Sequence, residues 1–172
     1  FGSLPAWLRS KNYEVWILPM FFNFSMKTSQ LYTLLKNQEQ EYLIPHHYLK
    51  YSDYLKALIE SYKMLAWRIE NAKINGTNVA PLFNEIIRKY LNEPDLSYEL
   101  LKRLKRSRFE IDGFYYAFEG NQLEKTYILA CREYFPNSKV IGYQHTTFFS
   151  NALPYQLGPG ESDYHPLPDE LI

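Results

Sequence analysis

Two short apolar runs separated by a patterned helix constrain this chain more than anything else in it. Tyr115-Tyr-Ala-Phe-Glu119 and Lys139-Val-Ile-Gly-Tyr-Gln-His145 each read as a buried strand that ends in a polar, ionisable residue. The stretch between them, Asn121 to Phe135, carries helical periodicity. Two strands joined by one helix imply a parallel βαβ unit, because a parallel crossover needs a dozen or more residues and is usually helical. Ligands of such sheets collect at the carboxyl ends of the strands. Glu119 and His145 would stand at two of those ends.

Upstream, Pro5 to Asn12 reads as the end of a helix, and Tyr13-Glu-Val-Trp-Ile-Leu18 as a strand closed by Pro19. Ser25 is placed to cap a helix from Met26 to about Lys36, and Tyr42-Leu-Ile44 reads as a short strand before Pro45. The clearest helical pattern runs from Tyr51 to about Ile74, where Leu55, Leu58, Ile59, Tyr62, Leu65 and Ile69 recur at three- and four-residue spacing. Asn75-Gly76 would end that helix, the glycine taking the left-handed conformation. Further helices are expected over Ala80–Leu91 and Leu96–Arg106. Residues 51–108 therefore read as a helical insert within a single domain spanning 1–172. After His145, Pro154, Gly158-Pro-Gly160, Pro166 and Pro168 interrupt regular structure. The chain opens inside a helix at Phe1 and stops at Leu171-Ile172 where an apolar run begins, which suggests a piece of a longer protein.

Equal numbers of basic and acidic residues, 19 of each, argue against a nucleic-acid binder that relies on a broad basic face. Lys102-Arg-Leu-Lys-Arg-Ser-Arg108 is a local exception. On a helix it reads as a solvated face, with attraction to anionic lipid or phosphate-rich acceptors as the minority reading. The single cysteine, Cys131, lies on the apolar face of the 121–135 helix and reads as a buried structural thiol. Adjacent His46 and His47 point to opposite sides of an extended chain without further ligands, so no metal is expected. Asn75-Gly-Thr77 matches a glycosylation sequon, although a turn explains it equally well. No apolar run is long enough to span a bilayer.

At the sites themselves the residue chemistry leaves two readings open. An imidazole at a strand's carboxyl end suits a general base, and it equally suits a structural hydrogen bond to the loop backbone. Glu119, the last residue of an apolar strand, is placed to orient an acceptor or to set the tautomer of His145. Asn121 and Glu124 form an Asn-x-x-Glu helix start, in which the asparagine caps and the glutamate completes the box.

The residues Phe118-Glu-Gly-Asn-Gln-Leu-Glu124, followed by a helix and Val140-Ile-Gly-Tyr-Gln-His145-Thr-Thr, resemble bacterial surface-carbohydrate glycosyltransferases that make capsule and lipopolysaccharide. Phe1-Gly-Ser-Leu-Pro-Ala-Trp-Leu8 and Tyr13-Glu-Val-Trp-Ile-Leu-Pro19 are similar to the early part of their amino-terminal domain. Thr146 stands where a glycine often follows the histidine, and Leu123 replaces an aromatic residue of the first motif. The resemblance implies a Rossmann-like parallel sheet with a helical insert, forming one half of a GT-B-like two-domain architecture. It further implies an acceptor-side domain in which His145 is the base and Glu119 its orienting partner. Gln144, Thr146, Thr147 and Asn121 would contact substrate. A carbohydrate or lipid-linked glycan would be the acceptor. A sugar nucleotide would be the donor, bound mainly by a carboxyl-terminal domain of the same parent chain, with no cofactor and no nucleic acid. A cytoplasmic location follows, with peripheral association at the inner membrane face as a further expectation. The competing class is a non-catalytic α/β domain that binds a glycan or a protein through the aromatic loop after His145, where Phe148 and Tyr155 would carry the binding, and a nucleotide-binding enzyme of another kind ranks third.

Overall fold

A computed structural model describes residues 4–19, 27–38, 41–66, 68–90, 96–144, 159–160 and 163–172. The protein is a mixed α/β chain. Helices α1 (Leu4–Ser10), α2 (Thr28–Lys36) and α3 (Tyr51–Ala66) precede a two-stranded hairpin, β1 (Lys73–Ile74) and β2 (Thr77–Asn78). Helices α4 (Ala80–Tyr90) and α5 (Ser97–Arg106) follow, then β3 (Gly113–Ala117), α6 (Gln122–Tyr134), β4 (Lys139–Tyr143) and β5 (Glu170–Leu171).

The strand–helix–strand unit is present as expected. β3 pairs with β4 in parallel from Gly113↔Lys139 to Ala117↔Tyr143, and β5 joins the far side of β4, also in parallel. β4 is thus the central strand of three, order β3-β4-β5. Strand side chains alternate between faces, so Phe114, Tyr116 and Phe118 share one face. Phe114 meets Tyr127 of α6 at a ring separation of 5.4 Å. Helix α6 begins where the Asn-x-x-Glu motif predicts, with the Asn121 side chain accepting from the Glu124 backbone N–H at 3.1 Å. It buries Tyr127, Ile128, Ala130 and Cys131. Gly142 of β4 permits close packing over the sheet. A Cβ there would lie 3.1 Å from Leu171 Cδ1, 3.2 Å from Pro168 Cγ and 3.3 Å from Phe118 Cβ.

Helix α5 contributes Leu100, Leu101 and Leu104, each at most 2% exposed, to the same core as α6, Val140 and Leu43. Its opposite side carries the basic run, which is largely neutralised by the chain itself. Lys102 faces Glu99, Arg103 binds Asp53 and Lys105 pairs with Glu110.

Three features differ from the sequence expectation. Neither the Tyr13–Leu18 segment nor Tyr42–Ile44 forms a strand; Ile17 and Tyr42 meet only in an isolated parallel bridge. The Ile17 N–H donates to Glu41 O and the Ile17 carbonyl accepts from Leu43 N–H, both at 2.9 Å. Arg9 reaches the Val15 carbonyl, and Trp16 turns its indole N–H to Glu14, which holds the rest of the segment in irregular backbone.

The long helix from Tyr51 stops at Ala66 rather than near Ile74. Asn84 of α4 both accepts from the Ile69 N–H (2.9 Å) and donates to the Ile69 carbonyl (3.0 Å), in the manner of a neighbouring strand. Beyond it, Asn75 (φ 49°) and Gly76 (φ 80°) form the two-residue loop of a hairpin, with Ile74 opposite Thr77. Positive φ at both central positions is the type I′ requirement that Asn-Gly meets best. The glycine is left-handed as expected, but it serves a hairpin instead of a helix end.

Third, α3 does not bury its apolar stripe. Leu55, Leu58, Ile59 and Tyr62 are exposed, as are Leu82, Phe83 and Ile86 of α4. The inward positions of α3 are Asp53 and Ala57. The polar side of α3 is the one that meets α5. Asp53 accepts from Arg103 Nε at 2.8 Å and from Arg103 Nη2 at 2.7 Å, and Lys56 bonds Glu99, so α5 holds the polar side of α3 toward itself.

Candidate functional site

The carboxyl edge of the parallel sheet is built by register. Ala117 and Tyr143 are paired, and the next amide, Phe118 N–H, donates to Tyr143 O at 2.9 Å. Glu119 and Gln144 therefore leave from adjacent strand ends. On the other side of β4, Gln144 N–H donates to Ile172 O at 2.9 Å, so the chain after β5 reaches the same edge.

Between β3 and α6 the backbone turns through Gly120, whose φ of 72° suits glycine. The turn is held by Glu124. Its carboxylate accepts from Glu119 N–H at 3.0 and 3.1 Å and from Gly120 N–H at 3.0 Å. Glu124 is 6% exposed, and burial raises its carboxyl above the usual range against the lowering effect of the amides of Glu119, Gly120 and Asn121. The nearby Glu119 carboxylate adds a smaller push in the same direction. Glu124 thus serves as a structural clamp that presents Glu119 at the edge, with the Glu119 side chain exposed.

Of the expected site residues, the structure brings Glu119, Asn121 and Gln144 together at this edge. Asn121 spends its side-chain oxygen on capping α6. Gln144 is half-buried. His145, Thr146 and Thr147 lie outside the described residues, as do Phe148 and Tyr155. Cys131 is fully buried, and burial pushes its thiol up to about 12, with Asp169 adding to the effect. One group on the inner face stands out: the Tyr116 hydroxyl is buried and finds no hydrogen-bond partner among the described residues. Burial, reinforced by Glu124, raises the phenol well above its ordinary range.

Away from the sheet edge lies a concave region that was not legible as a site in the sequence. A depression of about 900 Å³ is lined by His46, Leu49, Lys50, Tyr51, Ser52 and Tyr54. It opens where the bridged segment around Tyr42 gives way to a 3₁₀ turn (Pro45–His47) and then to α3. The Tyr32 hydroxyl lies 2.7 Å from His46 Nδ1, with the two rings edge to face at 5.1 Å. The pairing of His46 with a tyrosine fourteen residues earlier left only the adjacent His46-His47 visible in the sequence. Among the described residues no three His, Cys, Asp or Glu side chains converge as a metal site. Nor, among them, is any helix long and apolar enough to cross a membrane.

Nothing matches this chain among protein-family models, curated proteins or solved structures.

Proposed function

We propose that this chain is the acceptor-side part of a glycosyltransferase of bacterial surface-polysaccharide synthesis, with a Rossmann-like sheet forming one half of a GT-B-like enzyme. The observation that supports the reading best is the Phe118–Tyr143 hydrogen bond at the end of the β3–β4 ladder. It sets Glu119 beside Gln144, the residue that immediately precedes His145 in the chain. In this mechanism His145 accepts the proton of an acceptor hydroxyl. The oxygen then attacks the anomeric carbon of the donor in line, the bond from that carbon to the diphosphate breaks, and the configuration inverts. Glu119 orients the imidazole or the acceptor hydroxyl. The donor is a sugar nucleotide held mainly by a carboxyl-terminal domain of the parent chain, whose backbone amides and basic side chains would stabilise the departing diphosphate. The cytoplasm is the compartment in which such donors are used.

The test follows transfer from a panel of sugar nucleotides to extracted surface-glycan acceptors by mass spectrometry, using the full parent protein, His145→Ala and Glu119→Gln. General-base catalysis contributes about 10²–10⁴-fold, so His145→Ala should lose activity on that scale. Transfer undiminished in that variant removes the base role from His145. A second reading is favoured by the exposed aromatic residues of α3 and α4, Tyr62 and Phe83: a non-catalytic domain that binds a glycan or protein. Absence of transfer in wild-type protein, with retained glycan binding, selects it.

A further inference from the structure

The depression at the start of α3 lies apart in sequence from every residue assigned to the sheet-edge site, and its lining is unlike a filled core. Tyr51 keeps 95% of its surface in solvent at the rim, beside Tyr54, Leu49 and the His46 imidazole. An aromatic ring that gives up its burial offers a flat apolar face, to which the C–H face of a pyranose packs by dispersion and apolar contact. Tyr32 steadies His46 through Nδ1.

The charge balance selects the ligand further. The one carboxylate in the first turn of α3, Asp53, is 3% exposed and held by both nitrogens of the Arg103 fork and by the Lys50 backbone N–H at 2.8 Å. Its charge is therefore spent inward. Lys50 is exposed, and its ammonium acts on the Asp53 carboxylate only through space, without a direct salt-bridge contact among the described residues, which leaves it open to solvent. The lining thus presents the Lys50 ammonium and the His46 imidazole, and the neighbouring Asp53 carboxylate is turned inward to Arg103. Ser52 adds a hydroxyl that can bond sugar oxygens.

We infer that this depression binds an anionic saccharide, its ring against Tyr51 and Tyr54 and its carboxylate or phosphate at Lys50 and His46. The inference rests on the proposed function for its place in biology, as a subsite for a charged residue of the acceptor glycan. It stands on the lining residues for its chemistry.

The experiment titrates the chain with glucuronic acid and with glucose 1-phosphate, followed by ligand-observed NMR. Glucose and inorganic phosphate serve as controls. Lys50→Gln and Tyr51→Ala alter exposed side chains, and circular dichroism confirms that each variant folds. At least one anionic sugar should saturate in the low-millimolar range, about tenfold tighter than glucose and than phosphate alone, and each variant should weaken it about tenfold. Which sugar binds identifies the anion as carboxylate or phosphate. Saturation by neither below about 50 mM overturns the inference. So does equal binding of glucose, or binding indifferent to both substitutions. The transfer assay fails separately: loss of saccharide binding with transfer intact removes only this subsite, and binding without transfer removes only the catalytic reading.

Discussion

Asp53→Ala is the most informative perturbation of this fold, because Asp53 is the buried carboxylate through which α3 meets Arg103 of α5. The side chain accepts three hydrogen bonds, two from the Arg103 guanidinium at 2.7 and 2.8 Å and one from Lys50 N–H at 2.8 Å. Hydrogen bonds to a charged group contribute about 1.5–3 kcal/mol each. Removing one partner of a buried ion pair costs about 3–5 kcal/mol, since the other charge is left without compensation. Arg103 retains 15% side-chain exposure and can regain some water, so the expected loss is near the lower figure, about 3 kcal/mol. For a chain of this length that corresponds to about 6–12 °C in midpoint temperature. Asp53→Asn keeps one acceptor and should lose about half as much. Urea melts of wild type, Asp53→Ala, Arg103→Ala and the double variant should give a coupling energy above about 1.5 kcal/mol. A loss below about 1 kcal/mol for Asp53→Ala, the range of exposed pairs, would refute the argument that this pair holds α3 to α5.

The same pair fixes the sign of one pH dependence. Arg103, chiefly by hydrogen bonding, holds the Asp53 carboxyl below its ordinary range, with the Lys50 amide assisting against the effect of burial. A carboxyl lowered in the folded state contributes stability that is full above its unfolded value of about 3.9 and is lost as pH falls through the folded value. The stability difference between wild type and Asp53→Asn should therefore shrink from about pH 5 downward. Glu124, raised by burial, acts in the opposite sense and is common to both proteins, so it drops out of the comparison.

Gly142→Ala should destabilise by about 1–3 kcal/mol, because the added methyl meets Leu171, Pro168 and Phe118 at 3.1–3.3 Å; an unchanged urea midpoint would show that the β5 segment yields without cost. Tyr116→Phe should raise stability by about 1 kcal/mol, since it deletes a buried hydroxyl without a partner, and a fall instead would reveal a hydrogen bond that the described residues do not make. Cys131, buried and with its thiol pushed up to about 12, should resist a thiol reagent at neutral pH in the native chain and react fully in denaturant; rapid native labelling would contradict its burial.

Short-range chemistry was legible from the residues alone. The β3–α6–β4 unit follows from two apolar runs and an intervening amphipathic stretch. The start of α6 follows from Asn121 and Glu124, and the left-handed glycine from Asn75-Gly76. Each depends on groups within a few residues of one another, where spacing dictates geometry. The carboxyl-edge position of Glu119 and Gln144 is a direct consequence of that unit.

Tertiary structure decided the rest. Periodicity identified an apolar stripe on α3 but could not say that the stripe would stay exposed. That outcome depends on Asp53 meeting Arg103, fifty residues further along the chain. Beyond α3, the Asn84 side chain stands in for a strand beside Ile69, a contact fifteen residues apart that no local propensity encodes. The depression near His46 needed Tyr32, a 3₁₀ turn and the first turn of α3 to converge. A sequence specifies what each short segment prefers. Which of two usable faces of a helix turns inward depends on partners far along the chain, here Arg103 opposite Asp53 and Glu99 opposite Lys56, about which local spacing carries no information.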